Sequence, residues 1–161
     1  MKIPSFLLAA SMSFFASSSG FSTAPQEPSH STISPEEISW LPGPASLPEG
    51  AQIAILQGDI SAAAPFTFRV KFPAGYSIQP HFHPKDEALT VISGSLAVGF
   101  GEVFLTSDLI SIPAGGFTFL PAQHAHYIMT KEETVVQINA FGPWGITYIN
   151  PLDDPRNNSG E

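Results

Sequence analysis

The residues best able to do chemistry in this chain are gathered in one stretch, His81-Phe82-His83-Pro84-Lys85-Asp86-Glu87, in a sequence where charged residues make up only 12%. On a β-strand successive side chains point to opposite faces, so His81 and His83 aim the same way and Phe82 turns outward. Two imidazoles then converge on one point. Pro84-Lys85-Asp86 is turn-prone, and a reversal there brings Glu87 into the next strand, close enough to supply a third ligand. Two neutral nitrogens and a carboxylate on one face suit a divalent transition metal.

A histidine pair of this kind is common on protein surfaces, and its frame is what gives it weight. Gly75, five residues, His81, one, His83, three, Glu87, six and Gly94 form a first block; Gly115, five residues, Pro121, one, Gln123, two, His126, three and Thr130 form a second. In these spacings the chain resembles the cupin superfamily, whose motifs read Gly-x5-His-x-His-x3-4-Glu-x6-Gly and Gly-x5-Pro-x-Gly-x2-His-x3-Asn. The first block matches at every fixed position. In the second, Gln123 stands for the glycine and Thr130 for the asparagine, so the turn departs from the pattern while the histidine is kept. The resemblance covers residues 40–156 and is to small single-domain bacterial members that bind a metal. It implies a ligand set of His81, His83, Glu87 and His126, holding one divalent transition metal (Mn, Fe, Ni, Co or Zn), and an all-β double-stranded β-helix, the jelly-roll barrel.

The elements that must position these residues read as strands. Residues 66–72 alternate cleanly, with Phe66, Phe68, Val70 and Phe72 on one face and Thr67, Arg69 and Lys71 on the other. A short run at residues 53–56 precedes them, and others follow at 88–92, 96–100, 109–112, 117–120, 126–129, 134–140 and 146–149, with Gly or Pro in most of the gaps. No long helix is evident, which indicates a sandwich or barrel. Glu87, Leu89 and Val91 share a face, so the carboxylate is followed by apolar residues lining the same interior. Ahead of the strands, Ser34-Pro35-Glu36-Glu37 suits a single helical turn with a serine cap. Trp40 either packs on the outside of the barrel or crosses to a second subunit, which leaves a homodimer open.

At 161 residues the chain suits one domain with a closed core. Without cysteines it has no disulfides, thiolate metal sites or cysteine nucleophile. A net charge of −8 argues against nucleic acid and anionic membrane as partners and leaves a small-molecule ligand. Lys2, the apolar run 3–16 and the small residues 16–20 read as a signal peptide over residues 1–20, cleaved near Gly20, which makes the protein secreted or periplasmic with no membrane contact after cleavage. Residues 21–34, rich in Ser, Thr and Pro, read as a disordered linker. The barrel is then expected over residues 35–156 and a polar tail over 157–161.

Two function classes follow from these residues. One is a metalloenzyme: a dioxygenase-like oxidoreductase, or a lyase or isomerase using the metal as Lewis acid, with Glu87 as the catalytic group that tunes the metal's charge. The other is a binding or sensing module without turnover, since fold alone does not settle function. The intact ligand set favours the enzyme. His124, Gln137, Asn139 and Thr130 are the polar residues that could face the site from its surroundings. Because histidine ligands must be neutral, metal binding is expected to weaken at about pH 6 and below.

Overall fold

Strict alternation in residues 65–72 produces a strand with Phe66, Phe68, Val70 and Phe72 buried and Thr67, Arg69 and Lys71 half-buried on the outer face. Burial of each such apolar side chain contributes about 1.5–3 kcal/mol, which fixes the register of the strand. The computed structural model describes residues 30–157. The signal peptide expected over residues 1–20, most of the linker and residues 158–161 lie outside the described residues. The described residues from Ile33 onward belong to one compact unit, and His30, Ser31 and Thr32 ahead of it are exposed.

The strands are β1 (Leu41–Pro42), β2 (Gln52–Gln57), β3 (Pro65–Phe72), β4 (Ser77–Phe82), β5 (Glu87–Ser93), β6 (Ser95–Phe100), β7 (Ile110–Pro113), β8 (Phe117–Leu120), β9 (His126–Thr130), β10 (Thr134–Phe141) and β11 (Thr147–Tyr148). They form two antiparallel sheets, ordered β1-β2-β3-β10-β5-β8 and β11-β4-β9-β6-β7. This is the jelly roll that the motifs implied. The inner faces meet in one core that includes Phe66, Phe68, Val91, Leu96, Val98 and Val136. Gly94 turns β5 into β6 with φ of +73°, and a side chain there would collide with the Glu133 carbonyl, so the last glycine of the first block is a steric requirement.

The turn expected after Ser34 is a 3₁₀ turn, Pro35–Glu37, in which Glu37 Oε2 accepts from both the backbone N–H and the hydroxyl of Ser34 at 2.8 Å. Trp40 packs on the outside of the barrel, where Lys71 Nζ lies 4.4 Å from the centre of its ring.

Candidate metal centre

Two strands, β4 with the residue just past its end and β9, deliver the histidines. His81 is near the end of β4, His83 lies one residue beyond it, and His126 opens β9. His81 and His126 are register partners, with ring centres 4.4 Å apart, and His83 stands 5.1 Å from each of them. One ring nitrogen from each histidine lies within 4.8 Å of the other two. Glu87 opens β5 beside them, its Oε2 3.4 Å from His83 Nε2, and all four residues are at most 5% exposed.

The aim of His81 depends on a bulge. The pairing of β4 with β9 slips between Ile78 and His81, so Pro80 and His81 are both buried and strict alternation fails there. Bulges re-aim side chains next to functional sites, and a proline inside a strand is the sequence sign of one.

Each imidazole is then locked by its other nitrogen. The Nδ1 of His81 lies 2.7 Å from the Gln79 carbonyl, that of His83 2.8 Å from Gly145 O, and that of His126 3.1 Å from His124 O. A carbonyl only accepts, so Nδ1 is the protonated nitrogen in all three and Nε2 keeps its lone pair. Three lone pairs converging in a buried pocket repel one another until a cation sits among them. This donor set fits a divalent transition metal, with the backbone fixing tautomer and orientation.

Electrostatics agree with that reading. Burial, reinforced by the charges of His126 and His83, holds His81 well below the ordinary imidazole range; burial holds His83 at about 4, and burial together with His83 holds His126 at about 4. The rings are therefore neutral at physiological pH and ready to bind a metal. Burial pushes the Glu87 carboxyl up to about 7, opposed by a hydrogen bond from Trp144. With His83 neutral, its 3.4 Å approach to Glu87 is proximity rather than an ion pair.

Trp144 is the site residue that sequence reasoning missed. Its Nε1 donates to Glu87 Oε1 at 2.5 Å, and its ring stacks on His83 at 5.8 Å. The backbone of this irregular stretch is anchored as well, by Trp144 N–H on Ile60 O at 2.7 Å and Gly142 N–H on Ala64 O at 2.9 Å. Nothing periodic marks Trp144, which lies 57 residues from the carboxylate it orients.

Gln123 keeps the turn that its motif assigns to glycine. It adopts the left-handed φ of 60°, where a non-glycine side chain costs about 1–2 kcal/mol. Its backbone N–H donates to His83 O at 2.9 Å, and its side-chain amide, which a glycine would lack, donates to the same oxygen at 3.3 Å, offsetting part of the cost and steadying His83.

The polar residues considered around the site stand elsewhere. His124 is exposed ahead of β9, its ring 6.2 Å from Phe100, and its hydrogen bond to His126 is through its backbone carbonyl. Gln137 and Asn139 face outward from β10, accepting from Arg69 at 3.1 Å and Thr67 at 2.9 Å. Thr130 is buried, but its hydroxyl donates to Pro73 O at 2.8 Å and ties β9 to the Pro73–Tyr76 turn. A cavity of about 30 Å³ remains at the histidines, walled by apolar side chains such as Val70, Ile78, Leu89 and Ile138. That is room for a water or two.

This two-sheet barrel with three converging histidines defines a cupin. The ChrR Cupin-like domain family matches residues 28–144, and the chain belongs to that family. Among solved structures, a candidate acetylacetone dioxygenase from Methylibium petroleiphilum PM1 is 18% identical over 82% of this chain and 89% of its own, with a TM-score of 0.62. The polyketide cyclase RemF from Streptomyces resistomycificus is 14% identical over 83% of this chain and 94% of its own, with a TM-score of 0.63. Salicylate 1,2-dioxygenase from Pseudoaminobacter salicylatoxidans is 12% identical over 66% of this chain and 31% of its own, with a TM-score of 0.53. At these identities the likeness is one of fold. No curated protein matches the sequence.

Proposed function

We propose that this protein is an exported cupin, secreted or periplasmic, that holds one divalent transition metal through His81, His83, His126 and Glu87 and acts there on a small molecule as a dioxygenase-like oxidoreductase. The observation that carries the reading is the set of three buried imidazoles whose Nδ1–H groups are all spent on backbone carbonyls. A metal bound there supplies Lewis acidity and, if it is iron or manganese, one-electron redox chemistry at positions the protein leaves open.

The protein's own residues contribute orientation, charge and dryness. Trp144 holds Glu87 Oε1, which leaves Oε2, the oxygen beside His83, as the one free to meet a cation. Beside a bound cation the Glu87 carboxyl would ionise, because a nearby positive charge opposes the desolvation that raises it. Apolar walls keep bulk water from the reacting groups and strengthen each electrostatic contact inside. Two of the fold neighbours are named as dioxygenases, which favours oxygen chemistry on small organic acids, phenols or 1,3-diketones.

The second reading, a binding or sensing module without turnover, draws support from the small size of the cavity. The test is to reconstitute the metal-free protein with Fe(II), Mn(II) and Zn(II) separately and to follow oxygen uptake and product formation with those substrate classes. Turnover with Fe or Mn but not Zn is expected. Equal turnover with Zn removes the redox reading and leaves Lewis-acid chemistry, and ligand binding without turnover under any metal favours the module.

Glu87→Gln keeps the shape of the side chain and removes its charge. Turnover should fall by about 10–100-fold while roughly one metal per chain is retained, the scale seen when groups that tune a metal are changed. Parallel loss of metal and activity would show instead that Glu87 is needed to hold the ion.

A further inference from the structure

Two spaces meet at one side chain. A groove of about 580 Å³ runs outside the barrel along the irregular segment between β1 and β2. Inside lies the cavity of about 30 Å³ at the histidines. Among the described residues, Leu47 alone lines both. It is 6% exposed, whereas Ser46 and Pro48 beside it are half-buried and Glu49 is exposed.

The rest of the cavity wall resists opening. Val70, Ile78, Leu89, Leu120 and Ile138 lie on paired strands, so moving them means breaking a sheet. The stretch carrying Trp144 and Ile146 is irregular, but it is bonded to the site: Trp144 donates to Glu87, and Gly145 O accepts from His83. Lifting it would release two members of the ligand set. Among the described residues no hydrogen bond ties the segment 43–50 to the four site residues. Two tyrosine hydroxyls hold it instead, Tyr76 donating to Pro48 O at 2.6 Å and Tyr148 to Ser46 O at 2.8 Å. Leu47 N–H closes a turn on Pro44 O at 2.9 Å, and Gly50, with φ of +103°, ends the segment.

We infer that Leu47 is the gate residue of this cavity, a specificity-determining side chain on a tyrosine-tethered strap. Ligands of two or three heavy atoms reach the histidines with little movement of the strap, and larger ones wait for it to lift. The inference rests on the proposed metal-centred function only for what lies behind the gate, since the strap and its tethers are properties of the fold.

The chain has no cysteine, so a Leu47→Cys variant of the full chain carries a single thiol. Leu89→Cys, at a position 4% exposed within β5, is the reference. In metal-free protein the Leu47→Cys thiol should react with dithionitrobenzoate at least about 100-fold faster than the Leu89→Cys thiol, because local opening costs far less than global unfolding. Equal rates overturn the gate whether or not a metal binds. In Co(II)-loaded protein the visible spectrum reports the held metal. There Leu47→Ala should speed acetohydroxamate association by about tenfold and leave azide within about twofold, since a required conformational change slows only the probe that needs it. Tyr148→Phe should act in the same direction while leaving the lining side chain in place. An intact cobalt spectrum with an unchanged acetohydroxamate rate in both variants means that ligands enter elsewhere, and the gate is wrong. Failure of Co(II) to bind counts against the metal centre instead, and the labelling comparison then decides the gate by itself.

Discussion

The His81→Ala, His83→Ala double variant should purify without stoichiometric metal, its affinity lower by about four orders of magnitude. Structural zinc binding is worth about 10–16 kcal/mol over four ligands, so each ligand carries about 3 kcal/mol, roughly 100-fold in affinity. Two lost ligands therefore cost about 10⁴-fold. His126 and Glu87 cannot compensate, because Trp144 and the Nδ1 bond to His124 O fix where they point. The measurement is elemental analysis together with calorimetric titration, on samples whose sheet content by circular dichroism matches the parent. His124→Ala is the control and should keep the metal, since its ring is exposed and its hydrogen bond to His126 is through its backbone carbonyl. Full metal retention by the double variant would remove the candidate centre altogether.

The convergence of His81 and His83 was legible because β-structure has the simplest periodicity. One intervening residue puts two histidines on one face, and spacing to the next turn places a carboxylate within reach. The same rule read the buried face of β3 correctly, along with the inward line of Glu87, Leu89 and Val91. It fails inside β4. Ile78 and His81, three residues apart, both line the cavity, and only the bulge around Pro80 reconciles them. The proline was the available signal there, but alternation alone passes over it.

Long-range contacts from irregular backbone were not legible. Trp144 and Leu47 sit in stretches without period, and their neighbours come from distant strands. Sequence separation conceals such contacts because nothing local in either residue specifies its partner. Gln123 shows the converse. Its departure from the glycine of the motif suggested an altered turn, yet the chain adopts the left-handed conformation there, with the side-chain amide bond to His83 O compensating. A motif substitution can thus conserve geometry when the new side chain recovers the conformational cost.

Acid should strongly destabilise the metal-free protein. His83 and His126 are held at about 4 in the folded state and His81 lower still, all by burial first, against an ordinary value of 6.5. Below pH 6.5 the unfolded chain takes up three protons that the fold refuses, so this contribution to stability is complete above 6.5 and is lost as the pH falls toward 4. Glu87 has the opposite sign. Its folded value of about 7 lies above the ordinary 4.5, so the fold binds one proton more than the unfolded chain between those limits. The net difference between pH 4.5 and 6.5 is two protons, or about 3 kcal/mol per pH unit. Across two units that approaches the whole stability of a small domain. Stability should therefore be greatest near pH 6.5 and fall away on the acid side, as read by denaturant titration of the metal-free protein from pH 4.5 to 7.5. The same burial moves metal release to lower pH than ordinary imidazoles would give, because protons compete with the ion at the folded values near 4 rather than at 6.5. Metal should be retained at about pH 5.5, inside the range where the sequence alone implied weakened binding, and a metal-free stability that is flat across that range would show that the histidines are not held neutral by burial.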